Sequence, residues 1–160
     1  MESRYELLSG SISSMYHDIQ KIERTEMAQY GLKGPHAQCL LAMKKHPEGI
    51  TAARLCEVCD KDKAAVSRSI LYLEQKNYLT REIPAEREGR QMAKHYRAPL
   101  ALTEEGSRIA REIAEKVDRV LEAVSRGVSE EDRTIMYAAL EQINRNLRAL
   151  CEAYGDEEPR

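Results

Sequence analysis

Apolar residues recur at helical spacing through most of this chain. From Met1 to about Gln29, leucine, isoleucine, methionine and tyrosine side chains return every three or four positions, which predicts a long amphipathic helix. Glycines at residues 31 and 34 and a proline at residue 35 break it. His36 to Lys45 then predicts a short helix. The pattern therefore predicts a mainly α chain that opens with one long helix.

A pair of short helices follows in the middle of the chain. Thr51 to Cys59 predicts a helix that the threonine hydroxyl can cap, and Asp60 to Asp62 predicts a tight turn. Lys63 to Lys76 predicts a second helix. Two helices joined by so short a turn are typical of a helix-turn-helix.

A cationic hairpin comes directly after these helices. Leu79–Ile83 and Pro99–Leu102 predict two antiparallel strands around a long polar loop. Helix, turn, helix and basic hairpin in this order are the layout of a winged helix-turn-helix, in which one helix enters the DNA major groove and the hairpin contacts the backbone or the minor groove. The pattern therefore points to DNA.

Two more long helices complete the chain. Thr103 is a predicted N-cap for a helix to about Arg126, and Ser129 begins another that extends to about Tyr154. Both carry apolar stripes, and neither they nor the first helix are needed to fill a small winged-helix core. We expect a second copy of the chain to cover these stripes. The alternative is that they pack on each other within one chain.

These elements define a fold class and an organisation. We expect a mainly α fold with a small antiparallel β-hairpin, as one domain over residues 1–160. Residues 1–30 and 104–154 would be dimerisation helices, and residues 35–103 the winged helix-turn-helix lobe. Within that lobe, the recognition helix would span about 63–76 and the wing about 79–102.

Charge is concentrated in that lobe. The chain has a net charge of −2, but between Lys61 and Arg97 nine lysines and arginines face five acidic residues, a local excess of four. The rest of the chain then carries −6. A basic segment on an acidic body favours phosphate binding at one place. The alternative is the ordinary variation of charge along a chain.

The second helix of the pair divides into two faces. At 100° per residue Val66, Ile70 and Leu73 share an inward face, whereas Ala64, Arg68, Leu71 and Tyr72 lie away from it. Arg68 can grip a guanine in a fork or bind a phosphate. The alternative is a solvated helix face. The predicted DNA-binding residues, wing included, are Thr51, Lys61, Lys63, Ala64, Ala65, Ser67, Arg68, Tyr72, Arg81, Arg87, Arg90, Lys94 and Arg97.

Other chemistry has weaker support. Cys56 and Cys59 form a single Cys-x-x-Cys pair without a second pair, so we expect no metal and no cofactor. Oxidant sensing by an exposed thiolate remains open. No catalytic motif is present, and we expect no enzyme activity. Without a membrane-length apolar run or a signal-peptide layout, we expect a cytoplasmic protein without a membrane partner.

Four segments resemble the MarR family of bacterial transcription regulators. They are Gly31–Pro35, Ile50–Leu55, Asp62–Arg68 and Leu102–Gly106, and the resemblance covers roughly Gly31 to Ala110. It implies a triangular homodimer joined by its terminal helices, with residues 63–76 as recognition helix and residues 81–97 as wing. It also implies a pseudo-palindromic operator and, often, a small ligand that lowers DNA affinity.

The wing departs from the family's pattern. A compact Asp-Arg-Arg element is usual there, whereas this chain has Glu86-Arg87 and several extra residues before Leu100, so Arg87 and Arg90 are rival minor-groove candidates. We predict a sequence-specific, ligand-responsive repressor that binds double-stranded DNA as a homodimer. The alternatives are a thiol-based redox-sensing regulator on the same scaffold and a winged-helix module for protein–protein contact.

Overall fold

The described part of the chain, residues 3–81 and 99–155 of a computed structural model, contains six helices and two short strands. The predicted mainly α fold with one antiparallel hairpin is confirmed. In chain order the elements are α1 (Arg4–Ala28), α2 (Gly34–Lys44), α3 (Ala52–Cys59), α4 (Lys63–Gln75), β1 (Leu79–Arg81), β2 (Leu100–Leu102), α5 (Glu104–Val124) and α6 (Glu130–Gly155).

Local side-chain chemistry sets the helix boundaries in the middle of the chain. Thr51 precedes α3 rather than starting it, and its hydroxyl accepts a hydrogen bond from the Arg54 N–H at 3.2 Å. Asp60 ends α3 in the left-handed conformation, with φ of 51°. Asp62 then caps α4 by accepting from the Ala65 N–H at 2.8 Å. Two caps and one left-handed residue therefore build the tight turn.

The hairpin has three residue pairs in the described part of the chain. Leu79 lies opposite Leu102 and Arg81 opposite Leu100, in an antiparallel register. Ile50 adds a further bridge to Leu100 on the other side, so the segment before α3 is tied to the hairpin. The predicted strand ends at residues 82 and 83 lie outside the described residues.

The core lies between the helix pair, the hairpin and the start of α5. Val66, Ile70 and Leu73 are buried, so the predicted inward face of α4 is confirmed. They pack in one cluster with side chains from α2, α3, both strands and α5, whose largest fully buried members include Leu40, Met43, Leu55, Leu100 and Ile113. This core holds α4 against the rest of its lobe.

Gly106 allows α5 to pass close to the chain before β1. The Thr103 hydroxyl caps α5 by accepting from the Gly106 N–H at 3.0 Å, and it donates to the Asn77 carbonyl at 2.7 Å. A Cβ atom on Gly106 would lie 1.7 Å from the carbonyl oxygen of Tyr78. The segment Leu102–Gly106 therefore fixes the start of α5 against the base of the wing.

Gly106→Ala is expected to lower the free energy of unfolding by about 2 kcal/mol or more, because backbone must move to admit the methyl group. Denaturant unfolding followed by circular dichroism measures this. Gly10→Ala is the matched control, since nothing lies within 4 Å of a Cβ at that helical position, and alanine should there add about 0.5–1 kcal/mol. Equal stability of Gly106→Ala and the wild type would contradict the close approach.

The chain divides into two compact units, residues 1–117 and 118–160. In the second unit, Ser129 caps α6 by accepting from the Asp132 N–H at 3.1 Å. None of residues 130–154 is buried. In the first unit, the apolar stripe of α1 is likewise open, with Met15 and Ile19 more than half exposed. Both terminal helices therefore display apolar side chains that their own unit leaves uncovered.

Candidate nucleic-acid interface

One face of α4 is open to solvent along the whole helix. Ala64, Ser67, Arg68 and Leu71 are exposed, and Ala65 is half-buried at the edge of that face. Two small residues come first and a cationic side chain follows one turn later. Small side chains let the backbone approach a groove closely, and a guanidinium above them can reach a base edge or a phosphate.

Arg68 is the central cation of this face. Among the described residues it forms no ion pair within 4 Å. Its charge, together with the larger effect of the hydrogen bond from Ala65, holds the pKa of Asp62 below its usual value. Asp62 therefore stays ionised at the N-terminus of α4, where its negative charge interacts favourably with the helix dipole.

The turn before α4 presents two lysines. Lys61 and Lys63 are both exposed, and the Lys61 N–H donates to the Cys56 carbonyl at 3.1 Å, which holds the turn in place. Thr51, at the start of α3, is exposed although its hydroxyl already caps that helix. Cations at this position can bind the phosphates that border the groove that α4 would enter.

Tyr72 departs from the predicted orientation. It is half-buried and packs on the core, with its ring stacked on His36 at a centroid distance of 4.3 Å. Its hydroxyl donates to the Gly31 carbonyl at 2.5 Å. The helical projection assigned Tyr72 to the open face, but a long side chain at the edge of that face can turn back onto α2. Tyr72 thus ties α4 to the connection between α1 and α2.

His36 beneath Tyr72 favours its neutral form. Burial, with a smaller contribution from Lys33, lowers its pKa from the ordinary 6.5. Its Nδ1 accepts a hydrogen bond from the Lys33 N–H at 3.2 Å, a contact that needs an unprotonated nitrogen. The hydrogen bond between Lys33 and His36 therefore depends on a neutral imidazole.

Stability is expected to fall as the pH drops below about 6.5, because the unfolded chain then binds a proton that the folded His36 resists. The stability that neutral His36 contributes is complete above that pH. It is lost progressively as the pH falls to the lowered pKa of His36 in the folded protein. Urea unfolding of wild type and His36→Gln between pH 7.5 and 5.5 measures the slope. His17→Gln, on exposed α1, is the control. Identical slopes in all three proteins would refute the assignment to His36.

Arg81 is engaged within the lobe. Its Nε donates to the Glu74 Oε1 at 2.7 Å, and both side chains are about three-quarters buried. This ion pair joins the base of the wing to α4. The remaining wing residues of the prediction, Arg87, Arg90, Lys94 and Arg97, lie outside the described residues.

Leu71 was not among the predicted DNA-binding residues, although it lies on the same face as Arg68. Its side chain is 57% exposed. The helical projection already assigned it to the open face, so the signal was present in the sequence. An exposed apolar side chain there can contact a thymine methyl group.

The described residues form neither a metal-binding cluster nor a membrane-spanning helix. No group of three or more histidine, cysteine, aspartate or glutamate side chains there gathers in a way that could hold a metal ion. In the same part of the chain, no helix combines the length and apolar character needed to cross a membrane.

Comparison with known proteins agrees with this geometry. Residues 30–91 match the model of the MarR family. Similar solved structures include S. aureus MepR bound to DNA, with 18% identity over 91% of this chain and 99% of that chain and a TM-score of 0.77. S. pneumoniae FabT in complex with DNA has 20% identity, the same coverages and a TM-score of 0.71. A MarR family regulator from Neisseria meningitidis has 17% identity, coverages of 95% and 99%, and a TM-score of 0.74. No curated protein matches the sequence.

The fold and the open face of α4 define a winged helix-turn-helix protein. The chain is similar to the MarR family over the part of the lobe that contains α2, α3, α4 and β1. The match includes three of the four segments that resemble the family, Gly31–Pro35, Ile50–Leu55 and Asp62–Arg68, whereas Leu102–Gly106 lies outside it.

Proposed function

We propose that this protein is a transcription regulator that binds a pseudo-palindromic operator as a homodimer and represses transcription until an effector releases it. The observation that carries the proposal is the open face of α4, where Arg68 and its small neighbours lie exposed above a rigid core. Lys61 and Lys63 would bind adjacent phosphates, and Ser67, Arg68 and Leu71 would contact base edges. The wing arginines would reach the flanking backbone or minor groove.

The open terminal helices support the homodimer. A 26-residue helix without a buried side chain, such as α6, needs a covering surface, as does the exposed stripe of α1. A second copy of the chain supplies equivalent stripes. A two-fold dimer would then present two α4 helices to half-sites about 34 Å apart, one turn of the duplex.

A groove in the first unit suits an effector. It measures about 300 Å³ and lies among the end of α2, β2 and the first turns of α5. Met43 and Leu102 provide apolar walls, and Lys44 and Arg111 provide cations, neither of which has an ion-pair partner within 4 Å among the described residues. A small carboxylate with an apolar body fits this lining. It would act only by preferring one dimer geometry over another.

Footprinting on the DNA around the protein's own gene tests the proposal. We expect protection of an imperfect inverted repeat, and affinity that falls with salt at a log–log slope of about −7 for roughly eight neutralised phosphates. Repeating the assay with aliphatic and aromatic carboxylates tests the effector. No protected fragment at low salt, or an affinity that ignores salt, would favour the alternative of a protein–protein module.

A further inference from the structure

Tyr72 connects α4 to the segment by which the chain leaves α1. Its hydroxyl donates to the Gly31 carbonyl at 2.5 Å, across 41 residues of sequence. Its ring is stacked on that of His36 with an angle of 11° between the two planes. The Lys76 ammonium lies 5.8 Å from the centroid of the same ring. Three neighbours therefore hold this side chain in one orientation.

Gly31 belongs to the cap at the end of α1. Its N–H donates to the Ala28 carbonyl at 3.0 Å, and the N–H of Leu32 donates to the Met27 carbonyl at 3.1 Å. The φ of Gly31 is 64°, a left-handed conformation that glycine adopts without strain at the end of a helix. The carbonyl that Tyr72 binds is therefore part of the structure that ends α1.

Two further contacts hold this end of α1, and they differ in kind from the Tyr72 bond. Met27 and Leu32 are buried in the core of the lobe, and the Lys116 ammonium of α5 donates to Glu26 at 2.7 Å. Apolar burial is not directional, whereas a hydrogen bond prefers a nearly linear geometry. The hydroxyl of Tyr72, itself part of α4, is therefore suited to set the angle between α1 and α4.

We propose that the Tyr72 hydroxyl is a positioning group that fixes the angle between α1 and α4, and thereby the half-site spacing that the homodimer accepts. This inference rests on the proposed function, in which α1 contributes to the dimer interface and α4 enters the groove. Tyr72 then acts through α4 and does not touch DNA itself, which differs from the role that the sequence predicted for it.

A small change of this angle matters because base pairs are closely spaced. One more base pair between half-sites moves them about 3.4 Å apart along the duplex and rotates one against the other by about 35°. The 13 residues of α4 make a helix about 20 Å long, so a tilt of about 10° displaces one end by about 3 Å. A dimer in which the angle is not fixed can therefore adapt to a neighbouring spacing.

The test compares the wild type with Tyr72→Phe, which keeps the ring on His36 and loses only the hydroxyl. The duplexes are the footprinted operator, versions with one or two base pairs inserted or removed between the half-sites, and a single half-site. Wild-type affinity should fall about tenfold or more away from the best spacing, because the second recognition helix then loses its half-site. Tyr72→Phe should vary by no more than about threefold across these spacings. Both proteins should bind the single half-site equally, because the open face of α4 is unchanged.

Tyr78→Phe is the matched control, because it removes the hydroxyl of another half-buried tyrosine that packs on the same core. It should keep the wild-type spacing preference. Amide hydrogen exchange without DNA tests the contact by itself. Tyr72→Phe should speed exchange at residues 29–33 by about two- to tenfold, while the buried face of α4 stays protected. A thermal melt of each variant confirms that it is folded.

An unchanged spacing preference in Tyr72→Phe would overturn the inference, even if its melting temperature fell, because the hydroxyl would then have a structural role only. Unchanged exchange at residues 29–33 would also overturn it. An equal loss of affinity on the half-site and on every operator would make Tyr72 a DNA contact. If the wild type binds no operator, the proposed function and the spacing claim fail together, whereas exchange still shows whether Tyr72 holds the end of α1.

Discussion

Replacing Leu147 and Leu150 by glutamate is expected to raise the dissociation constant of the proposed homodimer by at least about a thousandfold. Both side chains lie on the apolar stripe of α6 and are about half exposed in the single chain. Each buried leucine contributes about 1.5–3 kcal/mol, and a two-fold interface would lose four of them. A carboxylate at the same place also resists burial without a partner.

Sedimentation velocity over a range of concentrations measures the change. The matched control adds the same two charges on the opposite side of α6, as Ala138→Glu with Ala149→Glu, because both alanines lie well off the stripe. The control should remain dimeric and should still bind the full operator. A stripe variant that sediments as the wild type does would show that α6 is covered in some other way.

Replacing Arg68 by alanine is expected to cost about 1–3 kcal/mol of binding to the operator, a loss of about 5- to 150-fold. The guanidinium is exposed on the open face of α4 and forms no ion pair among the described residues, so its removal leaves the lobe's core intact. Arg68→Lys keeps the charge but loses the planar fork. It should recover binding to nonspecific DNA better than binding to the operator.

Titration of labelled operator and of a scrambled duplex, at one fixed salt concentration, measures both affinities. Arg145→Ala on α6 is the control, because it removes an equal charge outside the DNA-binding lobe. A loss of the same size on both duplexes would make Arg68 a phosphate contact rather than a base-reading residue. An unchanged operator affinity would show that this face of α4 does not contact the DNA.

The sequence was sufficient for the elements of the lobe because local chemistry decides them. Asp62 and Thr103 cap their helices through hydrogen bonds to residues three positions later, and this spacing is visible in the sequence. The inward face of α4 follows equally from helical periodicity. The observed ends of the helices in the lobe differ from the predicted ends by at most two residues, as expected for ends that depend on cap geometry.

The candidate site was less predictable, because long side chains choose partners that are distant in sequence. Tyr72 bonds to Gly31, 41 residues earlier, and leaves the face on which periodicity had placed it. Arg81 pairs with Glu74 across the turn into the hairpin. Neither contact has a spacing that a sequence pattern could reveal, since each depends on how α4 is packed against its neighbours.

The sequence by itself determined the winged helix-turn-helix and the exposed cation at Arg68, because caps, turns and apolar periods are encoded within a few residues of each other. Only the tertiary structure decided that Tyr72 bonds to Gly31 and how Gly106 joins α5 to Tyr78. Those contacts join residues from separate elements, and packing of the whole lobe, rather than any local preference, brings them together.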